Sequence, residues 1–531
     1  MPSGGWHLVS LHDASLHPPA LDDDDDALGQ GQIPWVLLED TAYVADRRNA
    51  TTATTDSKFG AQIQVTFCFA RPPRVSYLCV FCSRRPAGAK EAEVIAMEPH
   101  ILCTDANLVL LRIFLSPDKE LIFDSDLYIY RPAGDGGPSL TLLKRPPGDR
   151  IFQASQVGVL SSHTNHRDES SGLSLLRPHR APEDKPYMVA ALCDDHEELR
   201  LCHDELLESG QYLLYLYDSK PGSWTKYTVS LEDQQFQKHQ KEGYFLHNTD
   251  KVIAIGGKNG TMGFVDLWRG ILLCDLLLVK DSPRLRYIEV PPPLHPRARI
   301  QGDGRLCRDI AVMEDCIRFV QQQIFWKPCP LYVGQYIVDG WMAATWSRLI
   351  TSPVEDPWER QHTIKSSEMD ISNPQFELLP KLHDNAGRPL PPFKELSIFQ
   401  PTLSLKAGDA TVCFMIKVDI EDDEAWVIDV DMSNNKLQGV VGFDATRSAC
   451  VSFAYLHSGI SKYLKRASGA KGNLKRPGGM LLLGSSNKKQ PVILKPKEPW
   501  CAGGEKQQDA EMEGVTEDGG DNMLLDLGPT E

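Results

Sequence analysis

Residues 251–290 read KVIAIGGKNG TMGFVDLWRG ILLCDLLLVK DSPRLRYIEV. Four short apolar runs follow one another in this stretch: Lys251-Val-Ile-Ala-Ile, Met262-Gly-Phe-Val-Asp-Leu-Trp, Gly270-Ile-Leu-Leu-Cys-Asp-Leu and Leu285-Arg-Tyr-Ile-Glu-Val. Their β-branched and aromatic residues favour extended backbone. The connections Gly256-Gly-Lys-Asn-Gly, Arg269-Gly270 and Asp281-Ser-Pro accept turn geometry and are too brief for the crossover helix that parallel strands need. Four consecutive antiparallel strands suit one blade of a propeller. The runs predict that Phe264, Leu272 and Tyr287 pack between neighbouring sheets. They leave Asp266 and Trp268 at a rim or in the core, because the strand ends at Arg269-Gly270.

Two further stretches have the same form. Leu127-Tyr-Ile-Tyr-Arg leads through Gly and Pro to Leu140-Thr-Leu-Leu-Lys-Arg, and Tyr212-Leu-Leu-Tyr-Leu-Tyr-Asp leads through Ser-Lys-Pro-Gly-Ser to Trp224-Thr-Lys-Tyr-Thr-Val-Ser-Leu. Prolines 146–147 and 291–293 follow second strands, where a missing backbone donor ends ladder pairing. Strand-like runs continue at Asp309-Ile-Ala-Val-Met, Cys316-Ile-Arg-Phe-Val, Tyr336-Ile-Val, Met342-Ala-Ala-Thr-Trp, Thr411-Val-Cys-Phe-Met-Ile and Ala425-Trp-Val-Ile-Asp-Val. The best helical pattern, 195–207, puts Leu199, Cys202, Leu206 and Leu207 roughly along one face. The predicted class is mainly β, built from antiparallel four-stranded sheets and propeller-like. A mixed sheet or two sandwiches would produce the same hairpins.

Charge marks the ends. Residues 1–30 include the run Asp22-Asp-Asp-Asp-Asp, and 458–531 turn first basic, across 462–497, and then acidic. Blocks of like charge with little apolar content predict disorder there, around a β-rich body at 31–457. The 531 residues carry a formal charge of -16, which opposes gross attraction to nucleic acid or anionic membrane. No apolar run approaches the roughly 20 residues of a membrane-spanning helix. Residues 1–19 lack the pattern of a signal peptide. Thirteen cysteines, an odd number without scaffold spacing, fit a reducing compartment, so the expected location is cytoplasmic or nuclear. The sequons at Asn49 and Asn259 are then chance matches.

Candidate chemistry is sparse. Cys79-Val-Phe-Cys82, with Cys68 nearby, has knuckle or redox spacing, but no fourth ligand accompanies it and a strand would point Cys79 and Cys82 to opposite faces. Cys193, His196, Cys202 and His203 are dense, yet on one helix the two histidines would lie about 10 Å apart in rise. Gly256, Gly257 and Gly260 lack a following P-loop Lys-Ser or Lys-Thr, and no Gly-x-Ser-x-Gly elbow occurs. The pairs Asp194-Asp195 and Asp422-Asp423 read as loop carboxylates. In 462–497 Tyr463 is the only aromatic, so base stacking is weak, and Leu524-Leu-Asp-Leu is a short apolar stretch in the acidic end. No catalytic, cofactor-binding or metal residue is assigned. The reading is a non-enzymatic protein-interaction module with a protein partner, no cofactor and no membrane. The alternatives are a hydrolase-like enzyme with a central-pocket site, marked by a convergent cluster of perturbed acids and histidines, and RNA association through 462–497.

At Gly263-Phe-Val-Asp-Leu-Trp-Arg-Gly-Ile-Leu-Leu-Cys-Asp, Leu285-Arg-Tyr-Ile-Glu-Val-Pro-Pro-Pro and Arg308-Asp-Ile-Ala-Val, the chain resembles a plant family of uncharacterised proteins that carry the domain of unknown function 1618. The resemblance is strongest over 263–399, includes Trp341 and Ala344-Thr-Trp-Ser-Arg, and extends loosely to Trp35-Val-Leu-Leu-Glu-Asp. It implies a plant source and supplies no activity. Tyr217-Asp-Ser-Lys-Pro-Gly-Ser-Trp is similar to the sheet domains found beside F-boxes in plants, though no F-box is present here.

Neither cysteine group offers four ligands at zinc spacing. Elemental analysis of the purified protein should therefore find no stoichiometric zinc. One zinc per chain, lost in Cys193→Ser or Cys202→Ser, would contradict this.

Overall fold

Along residues 270–275 successive side chains pack on opposite neighbours. Leu272 and Cys274 join one apolar layer, while Ile271 and Leu273 join another. A strand that is apolar on both faces must be covered by a sheet on each side, because successive Cβ atoms point to opposite faces. The same requirement recurs along the chain and dictates the architecture.

The structure is a computed structural model that describes residues 11–20, 33–58, 60–83, 94–116, 125–134, 136–161, 185–194, 210–232, 246–294, 302–328, 336–384, 386–447 and 453–464. The first sheet contains β1 (Val36–Glu39), β2 (Tyr43–Val44), β3 (Ala53–Asp56), β4 (Gln62–Cys68) and β5 (Val75–Ser83). The second contains β6 (Val94–Ile95), β7 (His100–Asp105), β8 (Leu108–Ser116), β9 (Ser125–Arg131) and β10 (Ser139–Leu142). The third is β11 (Val157–Ser161), β12 (Tyr187–Asp194), β13 (Gln211–Asp218) and β14 (Ser223–Leu231). The fourth is β15 (Lys251–Gly256), β16 (Thr261–Asp266), β17 (Gly270–Asp275) and β18 (Arg284–Glu289). The fifth is β19 (Arg308–Met313), β20 (Cys316–Pro328), β21 (Tyr336–Leu349) and β22 (Glu359–Lys365). The sixth is β23 (Ser397–Leu403), β24 (Thr411–Lys417), β25 (Glu424–Asp431) and β26 (Lys436–Asp444). Finally, β27 (Tyr455–Ser458) returns to the first sheet and pairs antiparallel with β1, Val36 opposite Ser458. The third and fourth sheets touch edge to edge through two parallel pairs, Ser230 with Arg284 and Leu231 with Leu285.

The apolar layers link these sheets in sequence. Val109 and Leu111 face the first sheet, while Leu108 and Leu110 face the third. Leu160 and Leu192 meet Met262 and Phe264, and Val265 and Ile271 meet Ile310 and Phe319. Trp341 and Ala343 meet Phe414 and Ile428. Cys413 and Met415 then meet Trp35, Leu37 and Tyr455, which closes the circle back on the first sheet. The expected propeller-like class therefore holds, and its closure joins the two ends of the body through β1 and β27. Gln400 reinforces that seam: at φ 50° its buried amide donates to the Tyr455 carbonyl at 2.8 Å and accepts from the Ala454 N–H at 3.0 Å.

The deciding stretch folds as expected. Phe264, Leu272 and Tyr287 stand directly opposite one another across β16, β17 and β18, and all three are buried. The two residues left open at the strand end are now placed. Asp266 is buried and its carboxylate accepts from the N–H groups of Asn248, Trp268 and Arg269, each at 2.9 Å. Trp268 is half-buried, with its indole N–H donating to the Gly302 carbonyl at 3.1 Å.

Residues on either side of 31–457 also pack against the body. Ser15, inside the segment 1–30, is buried and its hydroxyl donates to Glu98 at 3.0 Å. Ile460 and Ser461, beyond 457, are buried too, and the Ser461 hydroxyl donates to the Ile33 carbonyl at 2.9 Å. A Cβ on Gly270 would collide with the Tyr287 ring and the Ile288 carbonyl, so only glycine fits where β17 starts against β18. The helical pattern at 195–207 lies outside the described residues, as does most of 458–531.

Leu272→Ala should lower stability by about 2–5 kcal/mol through lost contacts and a residual cavity. Exposed Leu277→Ala should change it by less than about 0.5 kcal/mol. Urea denaturation of the two variants measures the difference.

Candidate functional site

Each sheet presents one strand to the middle of the ring: β27, β7, β11, β15, β19 and β23. In the second to sixth sheets four antiparallel strands return the chain to the rim where it began, so their inner strands run in a common direction; in the first, β1 is antiparallel to the inner β27 but parallel to β5. The Asp105 carboxylate, at the end of β7, accepts from the Ser161 N–H at the end of β11 at 2.7 Å, which fits that arrangement. A cavity of about 510 Å³ lies between the inner strands, reaching from Asp250 and Arg305 at their starts to Asp105 and Tyr463 at their ends.

The core of its wall is an ionic tie centred on Asp309 of β19. Alternation sends the two neighbours Arg308 and Asp309 to opposite faces. Arg308 is buried between sheets, donating to the Leu267 carbonyl at 2.8 Å and to Gln321 at 2.9 Å, with its guanidinium 4.5 Å from the Trp268 ring centre. Asp309 faces inward, where Lys251 Nζ of β15 donates to Oδ1 at 2.6 Å and to the Ile310 carbonyl at 3.0 Å. The Leu403 N–H of β23 donates to Oδ2 at 3.0 Å. His457 of β27 sets Nδ1 at 3.2 Å from the same oxygen and Nε2 at 3.4 Å from Lys251 Nζ. Burial pushes the Asp309 carboxyl up, but Lys251 and His457 together outweigh it and hold it well below the usual carboxylate range. Burial and the facing Lys251 ammonium push His457 down against the pull of Asp309, which favours the neutral ring.

At the mouth formed by the starts of the inner strands stand Asp40, Asp250, Arg305 and Phe453. Arg305 is engaged: it donates to Asp303 at 2.6 Å and lies 4.8 Å from the Phe453 ring centre. Burial pushes Asp250 up to about 7 against the pull of a hydrogen bond from the Leu267 N–H at 2.8 Å. Burial likewise pushes Asp40 up to about 6, against the opposing charges of Arg305 and Arg447. Among the described residues neither carboxyl has an ion-pair partner within 4.0 Å. At the opposite mouth burial pushes Asp105 up to about 6, against the Ser161 N–H.

The residues singled out in the sequence sit elsewhere. Cys79 is buried beside Cys68, with sulfurs 3.9 Å apart, while Cys82 belongs to a different apolar layer. Cys193 is buried between the second and third sheets; His196, Cys202 and His203 lie outside the described residues. Gly256, Gly257 and Gly260, at φ 76°, 72° and 63°, shape the β15–β16 turn. Asp422 and Asp423 are exposed, and Asp195 lies outside the described residues. No group of three or more His, Cys, Asp or Glu able to hold a metal occurs among the described residues. Lys462 lines the cavity, and the basic stretch beyond Leu464 is outside the described residues, as is Leu524-Leu-Asp-Leu. Lys251, Asp309 and His457 were missed because 206 residues separate the first from the last. The one local signal was charge within the first two positions of two otherwise apolar strands, β15 and β19.

Residues 264–413 match the family model described as "Protein of unknown function (DUF1618)". No curated protein matches the chain. Among solved structures, the WD40 domain of SCAP from fission yeast is similar at 10% identity and a TM-score of 0.27, covering 80% of this chain and 96% of that one. The ring described above rests on the strands and layers of this chain and not on that likeness. No helix among the described residues is long and apolar enough to cross a membrane.

Asp309→Ala leaves Lys251 without its buried counter-charge and should cost about 3–5 kcal/mol. Because the folded-state carboxyl is depressed, its stabilisation is complete above the unfolded value of about 4 and fades as pH falls below it. Urea midpoints of wild type and Asp309→Ala should thus differ most near neutrality and converge in acid.

Proposed function

We propose that the chain is a non-enzymatic protein-interaction module that receives basic side chains of a partner at the mouth formed by Asp40, Asp250, Arg305 and Phe453. The observation that carries this reading is the imbalance of charge around the cavity. Of the cations that line it, Lys251 and Arg305 are already engaged by Asp309 and Asp303 and Lys462 follows the far end of β27, whereas Asp40 and Asp250 are raised to about 6 and about 7 by burial without a paired cation. An incoming ammonium or guanidinium supplies the missing counter-charge, and a charge-assisted hydrogen bond of that kind contributes about 1.5–3 kcal/mol. The net charge of -16 favours encounter with a basic partner.

Perturbed acids and histidines around one cavity are also what a central-pocket enzyme needs, and that is the observation favouring the second reading. Two features argue against it. Asp309 and His457 are occupied by each other and by Lys251, so neither is free to act as a base on a substrate. Asp105 and Asp250 stand at opposite mouths, so they do not form an acid–base pair across one bond. RNA association is disfavoured at this site, because a mouth that presents unpaired carboxyls repels phosphate.

Titration with a fluorescent lysine- and arginine-rich peptide tests the proposal. Binding should strengthen from pH 5 to pH 8, since Asp40 and Asp250 lose their protons across about 6 to about 7. Asp250→Asn should weaken it about 10-fold at pH 8, the equivalent of roughly 1.4 kcal/mol. The same substitution should stabilise the free protein at pH 8, because it removes a carboxylate whose ionised form burial disfavours. Affinity that is insensitive to both pH and Asp250→Asn would refute the reading, and turnover of generic ester or peptide substrates would favour the enzyme.

A further inference from the structure

We propose that Cys68 and Cys79 form a reversible disulfide when the protein encounters hydrogen peroxide. The pair is independent of the channel. In the β4–β5 ladder Cys68 stands opposite Tyr77 and Cys79 opposite Thr66, so the two cysteines occupy diagonal positions on one face. Their sulfurs are 3.9 Å apart, and both side chains are buried with Tyr43 and Tyr77. Bond formation requires the sulfurs to close to about 2.0 Å, and because diagonal partners of an antiparallel pair start roughly 7–8 Å apart, β4 and β5 must draw together at this point as the side chains rotate.

The surroundings make the two sulfurs unequal. Arg47 is fixed beside them, one guanidinium nitrogen donating to the Tyr77 hydroxyl at 2.5 Å and another to the Pro18 carbonyl at 3.2 Å. A hydrogen bond from Cys79, aided by the Arg47 charge, lowers the Cys68 thiol despite burial. Cys79 is pushed the other way, by its hydrogen bond to Cys68 and by burial, and keeps its proton. A thiol whose ionisation a neighbouring cation favours, with a second thiol 3.9 Å away, is the arrangement of an attacking and a resolving cysteine.

The chemistry balances with peroxide as oxidant. The Cys68 thiolate attacks the peroxide O–O bond; an S–O bond forms, and the departing hydroxide takes up the proton released by Cys68 to become water. The Cys79 sulfur then attacks Cys68, the S–O bond breaks, and the leaving hydroxide takes the Cys79 proton as a second water. Two thiols are oxidised by two electrons in total and one peroxide is reduced to two waters. The bridge would staple β4 to β5 where Tyr77 donates to the Pro19 carbonyl at 2.7 Å, fastening the segment that carries Pro18 and Pro19.

The full-length protein, treated with graded hydrogen peroxide, alkylated and peptide-mapped, tests this directly. The expected product is a single linked peptide pair containing Cys68 and Cys79, abolished by thiol reductant. Cys79→Ser should instead halt Cys68 at the sulfenic acid, trapped by a cyclic diketone, and Cys68→Ser should leave Cys79 unmodified. The wild-type map decides the matter even if a variant fails to fold. Cys68 and Cys79 both alkylated at peroxide levels that oxidise the more accessible Cys82, or Cys68 linked to any other cysteine, would overturn the proposal.

Discussion

The carboxylate of Asp309 is the contact on which the centre of the molecule depends. It belongs to β19 and accepts from Lys251 of β15 and from the Leu403 N–H of β23, with the imidazole of His457 from β27 at 3.2 Å. Four of the six inner strands are thereby fixed to one another at a single buried point. The sheets are held pairwise by non-directional apolar layers, which tolerate small slides. A shared ionic centre does not, because parting β15 from β19 leaves a buried charge uncompensated and moving β23 or β27 strips the carboxylate of a polar neighbour. The companion residue Arg308 does the same between the sheets, held by a carbonyl, an amide and the face of Trp268.

Closure of the ring follows from a different constraint. A sheet apolar on both faces has to be covered twice, and in an open row the two end sheets would each expose one apolar face to water. Bringing β27 from beyond residue 454 to pair with β1 removes both exposed faces at once. The buried Gln400, strained at positive φ, imitates the missing ladder between β23 and β27. The C-terminal part of the body is thus required to complete the sheet that its N-terminal part begins.

Charge along the channel divides into groups that hold the fold and groups left over. Lys251, His457, Asp309 and the Arg305–Asp303 pair belong to the first kind. Asp40, Asp105 and Asp250 belong to the second, each raised by burial. A group kept in place without a compensating partner destabilises the free protein and is relieved by a ligand of opposite charge, which makes this remainder the informative part of the cavity. The cysteines of β4 and β5 are a separate case: with Tyr43 and Tyr77 they form a small buried cluster of their own, and Arg47 donates to the Tyr77 hydroxyl beside them.

Strand identity, the antiparallel hairpins and the packing row Phe264–Leu272–Tyr287 were determined by the sequence itself, since side-chain alternation and turn chemistry are local and repeat every two residues. The family resemblance over 263–399 was legible for the same reason, in contiguous phrases, and the match at 264–413 agrees with it. Number and closure of the sheets, burial of Ser15 and Ile460, and the fate of Asp266 were decided only by tertiary structure. So was the candidate site. Asp40, Lys251, Asp309 and His457 each look like ordinary polar residues at strand ends, and nothing in their own neighbourhoods marks them. Their chemistry arises because inner strands far apart in the chain run side by side around one axis, and a contact such as that between Lys251 and His457, 206 residues apart, carries no local pattern by which a linear reading could find it.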